Sequence, residues 1–358
     1  MTNGNTYIAV GFCRDLKGEE SNYPQVGGVS SSMKFQAVYW QCVVVHFASS
    51  VRNNPNANHI LFTNLKNIPD LGKFNTEEFL VALGVKIVTL PFTYQPPISY
   101  FDSWRSTFYK LDMLKYFGNI AQPDDKCIIL DSDCIWIDSV DKISSSIEQH
   151  GFLTYEIDYH TANPTATDTI SGLGKLEVQK IYEEMGCRLD EVPKHFGAEI
   201  IAGSGQNMKK VSTEIDSIWE TSLKRAANGQ TKFNTEEYML SYAYHKLGYS
   251  AGTANTYIKR IWTEKAEHNN ADEQDFALSI WHVPAEKVHG IKRLFRQVYN
   301  RKSSFWHLPL GKPFAQYLGS YLGIPKPTRL KVTLDSLNGV IARIQRKSSK
   351  INQLFSKN

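Results

Sequence analysis

The sequence has no apolar run long enough to cross a bilayer. A membrane-spanning helix takes about 18 or more such residues, and the richest window, residues 43–48, is already interrupted by His46. Cysteine is scarce: there are five, an odd number with no CxxC spacing, which argues against a disulfide framework and against a structural zinc site. Cys127 and Cys134 fall seven positions apart on what reads as one strand, so at about 3.3 Å per residue they are ~23 Å apart and out of bonding range. The first five residues are polar and lack the basic-then-apolar pattern of a secretory signal, and the expected compartment is the cytoplasm. Internal repeats and low-complexity tracts are also missing. What remains is 358 residues, 42% apolar and 21% charged, enough to bury a sizeable core.

Charge is scarce in one sign over the last fifth of the chain. From residue 285 onward there are 15 Lys or Arg against only Glu286 and Asp335, a balance of +13, which leaves residues 1–284 at −9. Such a segment suits an anionic partner. Leu334, Leu337, Ile341, Ile344, Ile351 and Phe355 recur at spacings that return to one helix face, with Lys331, Arg343, Arg346, Lys347, Lys350 and Lys357 among them. An amphipathic basic helix of this kind lies on an anionic membrane surface, and the same positions also fit a heptad for a homo-oligomer.

Short β-rich runs at 6–12, 59–63, 85–90 and 126–137 alternate with helical patterns at 33–50, from Asn75 to Gly84, and at 103–117. Alternation of this kind predicts an α/β fold with a mostly parallel sheet. The next part is mixed, with strands at 152–157 and 198–202, helices at 175–185, 209–226 and 234–247, the last starting on an Asn234 cap, and β-like stretches at 250–262 and 277–283. The expected organisation is a first half, 1–137, a second half of the same domain, 138–284, and a basic helical extension, 285–358.

Four groups of residues can carry chemistry. Asp131-Ser132-Asp133 leaves an apolar strand where parallel sheets bind ligands, and two such carboxylates call for a counter-charge, which Mn²⁺ or Mg²⁺ supplies through oxygen ligands. Lys110 and Arg105, on the helix feeding that strand, can neutralise phosphate oxygens. His282 ends a late strand and can complete a Mn²⁺ shell, while Lys287, five positions on, can hold a diphosphate. The fourth group is acidic: Glu199 in a strand, and Glu236 and Glu237 at a helix start, with Glu237 at capping-box spacing from Asn234 and Glu236 freer to act as a base.

Taken in order, the opening strand, Phe108-Tyr109-Lys110-Leu111, the Asp-Ser-Asp strand, Phe196-Gly197-Ala198-Glu199, Asn234-Thr235-Glu236-Glu237 and Trp281-His282-x-Pro284-x-Glu286-Lys287 resemble a metal-dependent, nucleotide-sugar glycosyltransferase of the GT-A fold. The likeness spans residues 6–290 and is similar in layout to the glycogenin-like and bacterial lipopolysaccharide galactosyltransferase families, which implies that 1–137 is the nucleotide-sugar-binding half and 138–284 the acceptor-binding half. It implies Asp131, Asp133 and His282 as metal ligands, with Lys110, Asp131 and Lys287 toward the diphosphate. It also places Gly11, Phe12 and Arg14 beside a uracil, and Glu236 or Glu237 as candidate base if the reaction inverts, while Glu199 is a candidate base or sugar-hydroxyl ligand from its strand position alone. The late motif, His-x4-Lys, departs from the glycogenin-like ending. The implied reaction moves a sugar from a UDP-sugar to a saccharide or lipid-linked acceptor in bacterial surface polysaccharide synthesis, by a peripheral enzyme on the inner face of the membrane. Nucleic acid is not among the expected partners. The rivals are an aspartyl phosphotransferase of the haloacid-dehalogenase type and a non-enzymatic anion-binding protein.

Overall fold

The computed structural model describes residues 4–157, 169–263 and 269–336. The first half runs β1 (Thr6–Phe12), α1 (Met33–Asn53), β2 (Asn58–Thr63), α2 (Thr76–Ala82), β3 (Lys86–Thr89), a 3₁₀ turn at Arg105–Phe108, α3 (Tyr109–Ile120), β4 (Lys126–Leu130) and β5 (Cys134–Trp136). Then come α4 (Asp141–His150), β6 (Phe152–Glu156), the short hairpin β7 (Thr169–Ile170) and β8 (Leu173–Gly174), α5 (Lys175–Glu184), β9 (Phe196–Ser204), α6 (Gly205–Ala227) and α7 (Glu236–Leu247). The chain continues with β10 (Ile258–Arg260), β11 (Ile280–His282), α8 (Gly290–Tyr299), α9 (Ser304–His307) and α10 (Lys312–Leu322).

The central sheet has six strands in the order β3-β2-β1-β4-β9-β6; β9 alone runs against the rest, so the sheet is mostly parallel, as expected. Strand periodicity divides the core. Ile8, Val10, Leu61, Ile128 and Leu130 face Trp40, Val43 and Phe47 of α1, while Ala9, Ile60, Phe62 and Ile129 face Leu114 and Phe117 of α3 and Val211 and Ile215 of α6. From β1 the chain steps outward to β2 and β3, then returns through α3 to β4 on the other side of β1. The strand order therefore reverses between β1 and β4, and α/β sheets open their ligand crevice beyond the strand ends at such a point.

Residues 126–137 do not form one strand. Asp131-Ser132-Asp133 turns the chain, the Cys134 N–H donating to the Asp131 carbonyl at 3.1 Å, and carries it into a second sheet of order β10-β11-β5. The apolar runs on either side of the motif misled the sequence reading because both are fully buried, one in each sheet. Cys127 and Cys134 thus sit in different sheets, and all five thiols are free.

One helix cap also differs from expectation. Helix α7 has Thr235 as its N-cap, and Asn234 instead reaches the β7–β8 turn, its Nδ2 donating to the Ser171 carbonyl at 3.0 Å. Among the described residues no helix is long and apolar enough to cross a membrane. Most of the amphipathic pattern at the C-terminus, residues 337–358, lies outside the described residues. Lys331, expected among its lipid-facing bases, is 4% exposed, its Nζ 2.8 Å from Glu286 and 2.7 Å from Asp335.

Candidate active site

Strand register assembles the site. Leu130 pairs with Ile200, and the Asp131 N–H donates to the Glu199 carbonyl at 3.1 Å, so Glu199 lies beside the start of the acidic turn. Cys134 pairs with His282 and the Val283 N–H donates to the Asp133 carbonyl at 3.2 Å, which sets the imidazole against the end of the turn. Arg260 is the partner of His282 on the other side, in β10. Three residues distant in sequence are thereby gathered around Asp131 and Asp133 by backbone pairing alone.

His282 Nε2 lies 3.1 Å from Asp133 Oδ2 and 3.7 Å from Asp131 Oδ2, and one ligand atom from each of the three residues falls within 4.8 Å of the others. Two carboxylates and an imidazole form a donor set that fits Mn²⁺ or Mg²⁺. The opposite nitrogen, Nδ1, is 3.3 Å from Glu199 Oε1; a carboxylate behind a ligating histidine is the usual device for fixing its tautomer and ring orientation. Burial works against the imidazolium, yet Asp133 and Glu199 outweigh it and push His282 up to about 9. A proton on Nε2 thus balances the carboxylates where a divalent ion would take its place. Burial likewise opposes the Asp133 charge, and Lys287, whose Nζ contacts Oδ2, and His282 hold the carboxyl far below its usual range.

Lys110 joins this cluster to the acidic helix start. Its Nζ is 2.7 Å from Asp131 Oδ1 and 3.4 Å from Glu236 Oε1. Desolvation of the ammonium is overcome by those carboxylates, so Lys110 stays charged to well above its usual range.

Glu236 and Glu237 are neighbours with opposite fates. Burial, the largest influence, raises Glu236 to about 7 against the pull of Lys110, with Glu237 and Asp131 adding to the rise. For Glu237 burial is overcome by His195 and Arg260, and the carboxyl falls to about 2. Its oxygens lie 3.2 Å from His195 Nε2 and 3.0 Å from Arg260 Nη2. The capping role expected for Glu237 is not the one it plays: its Oε1 accepts instead from the Ala198 N–H, 3.4 Å away in β9. Arg260 also grips Glu199, Nε to Oε1 at 2.7 Å and Nη2 to Oε2 at 3.0 Å. Glu199 has no exposed surface and is not on the cavity wall.

The cavity holds about 410 Å³. Gly11, Phe12, Lys110, Asp131, Asp133, Glu236, Glu237, His282 and Lys287 line it. Arg14, expected beside the base, is not on the wall; its backbone is pinned to Asn64, Arg14 N to Oδ1 at 2.9 Å and Nδ2 to Arg14 O at 3.2 Å. At Gly11 a Cβ would come within 2.5 Å of Met113 Sδ, so a larger residue there would have to displace the Met113 side chain. Arg105, the other base on the feeding helix, is buried, its Nε donating to the Pro96 carbonyl at 2.7 Å, and it too is not on the wall.

Arg260, His195 and Thr107 were missed from sequence. Arg260 sits in a stretch already read as β, but an isolated arginine there carries no motif, and its partners Glu199 and Glu237 are 61 and 23 positions away.

No protein-family model matches the chain, and no curated protein matches it. Among solved structures it is similar to the apo structure of the bifunctional glycosyltransferase WbbM, with a TM-score of 0.49 and 10% sequence identity over 85% of this chain and 50% of that one. The chain thus spans half the length of that protein.

Proposed function

We propose that the chain is a metal-dependent glycosyltransferase that takes a UDP-sugar as donor and transfers the sugar to a saccharide or lipid-linked acceptor in bacterial surface polysaccharide synthesis. The observation that carries this reading is the convergence of Asp131, Asp133, His282 and Lys287 on one cavity, beyond strand ends where the sheet order reverses.

Asp131, Asp133 and His282 would hold the ion, which when bound supplies charge neutralisation for a diphosphate. Lys287 places a second cation beside Asp133, toward the oxygen that takes the electron pair as the bond from the anomeric carbon to the diphosphate breaks. The anomeric carbon becomes cation-like, which nearby carboxylates favour. An acceptor hydroxyl then bonds to that carbon and releases its proton. Glu236, raised to about 7, is tuned to accept it near neutral pH, if the enzyme inverts. Glu237 and Glu199, held ionised by Arg260, fix the wall and the imidazole.

The test is a thermal-shift and hydrolysis screen of nucleotide sugars with and without Mn²⁺. Stabilisation and slow hydrolysis of a UDP-sugar only with the metal is the expected outcome. Hydrolysis undiminished by excess EDTA refutes the reading.

The C-terminal extension is proposed to dock on an anionic membrane surface, supported by its +13 balance and apolar periodicity. Because Lys331 belongs to the buried Glu286 cluster, the informative truncation ends at Ser336. It should abolish sedimentation with phosphatidylglycerol vesicles at low salt and leave the melting temperature unchanged. If the intact chain ignores the vesicles and the truncation turns an oligomer into a monomer, the segment is an oligomerisation helix instead.

A further inference from the structure

Among the described residues, two that are not glycine have a left-handed backbone, Trp104 at φ 54° and Ser171 at φ 45°, and both line the cavity. Ser171 has a local reason. It and Gly172, at φ 78°, form the two-residue loop between β7 and β8, and a type I′ hairpin turn needs positive φ at both positions. Trp104 has none: it precedes the 3₁₀ turn, where the extended backbone is the norm, and a bulky side chain in the left-handed region is a genuine outlier.

Its surroundings enforce the conformation. The Trp104 N–H donates to the Asn22 carbonyl at 3.1 Å, its carbonyl accepts from the Thr107 N–H at 3.0 Å, and the following Arg105 N–H donates to Ser21 Oγ at 3.1 Å. Strain held in place from both sides is typical of residues that do something at a site. What the conformation achieves is to hold a half-buried indole on the cavity wall, with Phe101 behind it at 6.4 Å between ring centroids.

The main chain of Trp104 is linked to the acidic helix start. The Thr107 hydroxyl lies 2.7 Å from the Trp104 carbonyl and also contacts Glu236, which Lys110 links to Asp131. The Trp104 backbone is therefore tied through Thr107 to Glu236, and the residue lines the same cavity. A separate aromatic group, Tyr23, Phe35 and Tyr39, lies on the cavity wall with Phe12 at the end of β1, the side expected to border the nucleoside, and Lys287 Nζ is 5.9 Å from the Tyr39 ring.

We propose that Trp104 is the stacking platform of a saccharide acceptor, binding the apolar C–H face of a pyranose ring while Ser171 and Thr107 meet its hydroxyl rim and Glu236 faces the hydroxyl that reacts. An aromatic plane bordered by a few hydroxyl groups and one carboxylate matches a sugar, which pairs an apolar face with a polar edge, and does not match an extended lipid or a polyanion. The proposal rests on the glycosyltransferase reading, and the experiment separates the two.

Titration calorimetry with Mn²⁺ and UDP first tests the donor end. Saturation-transfer NMR on the protein loaded with UDP and diamagnetic Mg²⁺ then follows four methyl glycosides, of β-galactose, β-glucose, α-mannose and β-N-acetylglucosamine. At least one should bind through its ring C–H protons. Trp104→Asn, which removes the ring and tolerates the left-handed backbone, should weaken that glycoside by about tenfold or more and leave the Kd for UDP and the melting temperature unchanged or improved. Trp104→Phe should restore most of the binding. If UDP fails to bind with Mn²⁺, the donor reading falls and this proposal with it. If UDP binds but no glycoside does, or if Trp104→Asn weakens UDP rather than the glycoside, the platform alone is refuted. A fall of several degrees in the melting temperature of Trp104→Asn also refutes it, because the ring would then be a packing element.

Discussion

The two walls of the cavity treat their carboxylates differently. On the wall built by the β4–β5 turn and β11, Asp133 faces both His282 and Lys287, and its charge is fixed. On the wall built by the start of α7, Arg260 and His195 claim Glu237, and Glu236 is left with Lys110, which it shares with Asp131. Burial then decides: it cannot lift Asp133 or Glu237, and it lifts Glu236 to about 7. The lesson is that one wall is arranged to hold constant charge and the other holds a single group able to exchange a proton near neutral pH.

The largest effect should come from breaking the fixed wall. Asp133→Asn keeps the size of the side chain but removes one of the two carboxylates proposed to hold the metal, and takes from Lys287 and His282 the charge they both face. Turnover of a UDP-sugar should fall by ~10³-fold or more, several kcal/mol of transition-state stabilisation, with loss of Mn²⁺ binding by calorimetry. Next in size is the exchangeable group. Glu236→Gln should lower transfer by ~10²–10⁴-fold while UDP and Mn²⁺ still bind. Retained anomeric configuration in the product, read by proton NMR, removes the reason for a base at that position.

A smaller effect separates support from contact. Glu199→Gln should weaken Mn²⁺ by ~10–100-fold, the usual consequence of altering the group behind a ligating histidine, and should leave UDP affinity at saturating metal nearly intact. If Glu199 met the substrate, the transfer rate at saturating metal would fall instead. Its full burial argues for the first result.

This contrast also marks how far the site was legible in the sequence. Asp131, Asp133 and His282 were readable because residues of coordinating type stood at the ends of apolar runs, and strand ends are where α/β sheets place ligands; Lys287 was readable only as a cation five positions after His282. The β-α alternation likewise announced the parallel sheet. The supporting wall was not readable: Arg260 acquires its function from register with His282, and nothing local to residue 260 encodes that pairing. Glu237 shows the reverse error, since its spacing from Asn234 satisfied a local capping rule that the long-range partners Arg260 and His195 overrode. The misread strand at 126–137 has the same origin, because one-dimensional hydrophobicity cannot tell burial in one sheet from burial in two.

The smallest expected effect concerns a second buried imidazole beside the motif. His282 is kept charged by two carboxylates, whereas His46, fully buried on α1, has only the Cys134 carbonyl at 2.7 Å from Nδ1, and its Nε2 has no hydrogen-bond partner. Desolvation, the largest influence, pushes His46 down to about 3, and burial pushes neighbouring His59 down to about 4. A histidine lowered on folding contributes stability that is complete above its unfolded value of 6.5 and is lost as the pH falls from there toward the folded value. Between pH 7 and 5.5 each of the two should therefore cost about 1 kcal/mol, roughly 2 together. His46→Asn keeps a donor for the Cys134 carbonyl and cannot be protonated, so the change in stability from pH 7 to 5.5, read from urea midpoints, should be about 1 kcal/mol more favourable than in the unsubstituted chain, in which the raised His282 and Glu236 act in the opposite direction. An unchanged pH dependence would mean that His46 takes up no extra proton on unfolding, and that the imidazoles on the two sides of the motif are not set apart by charge.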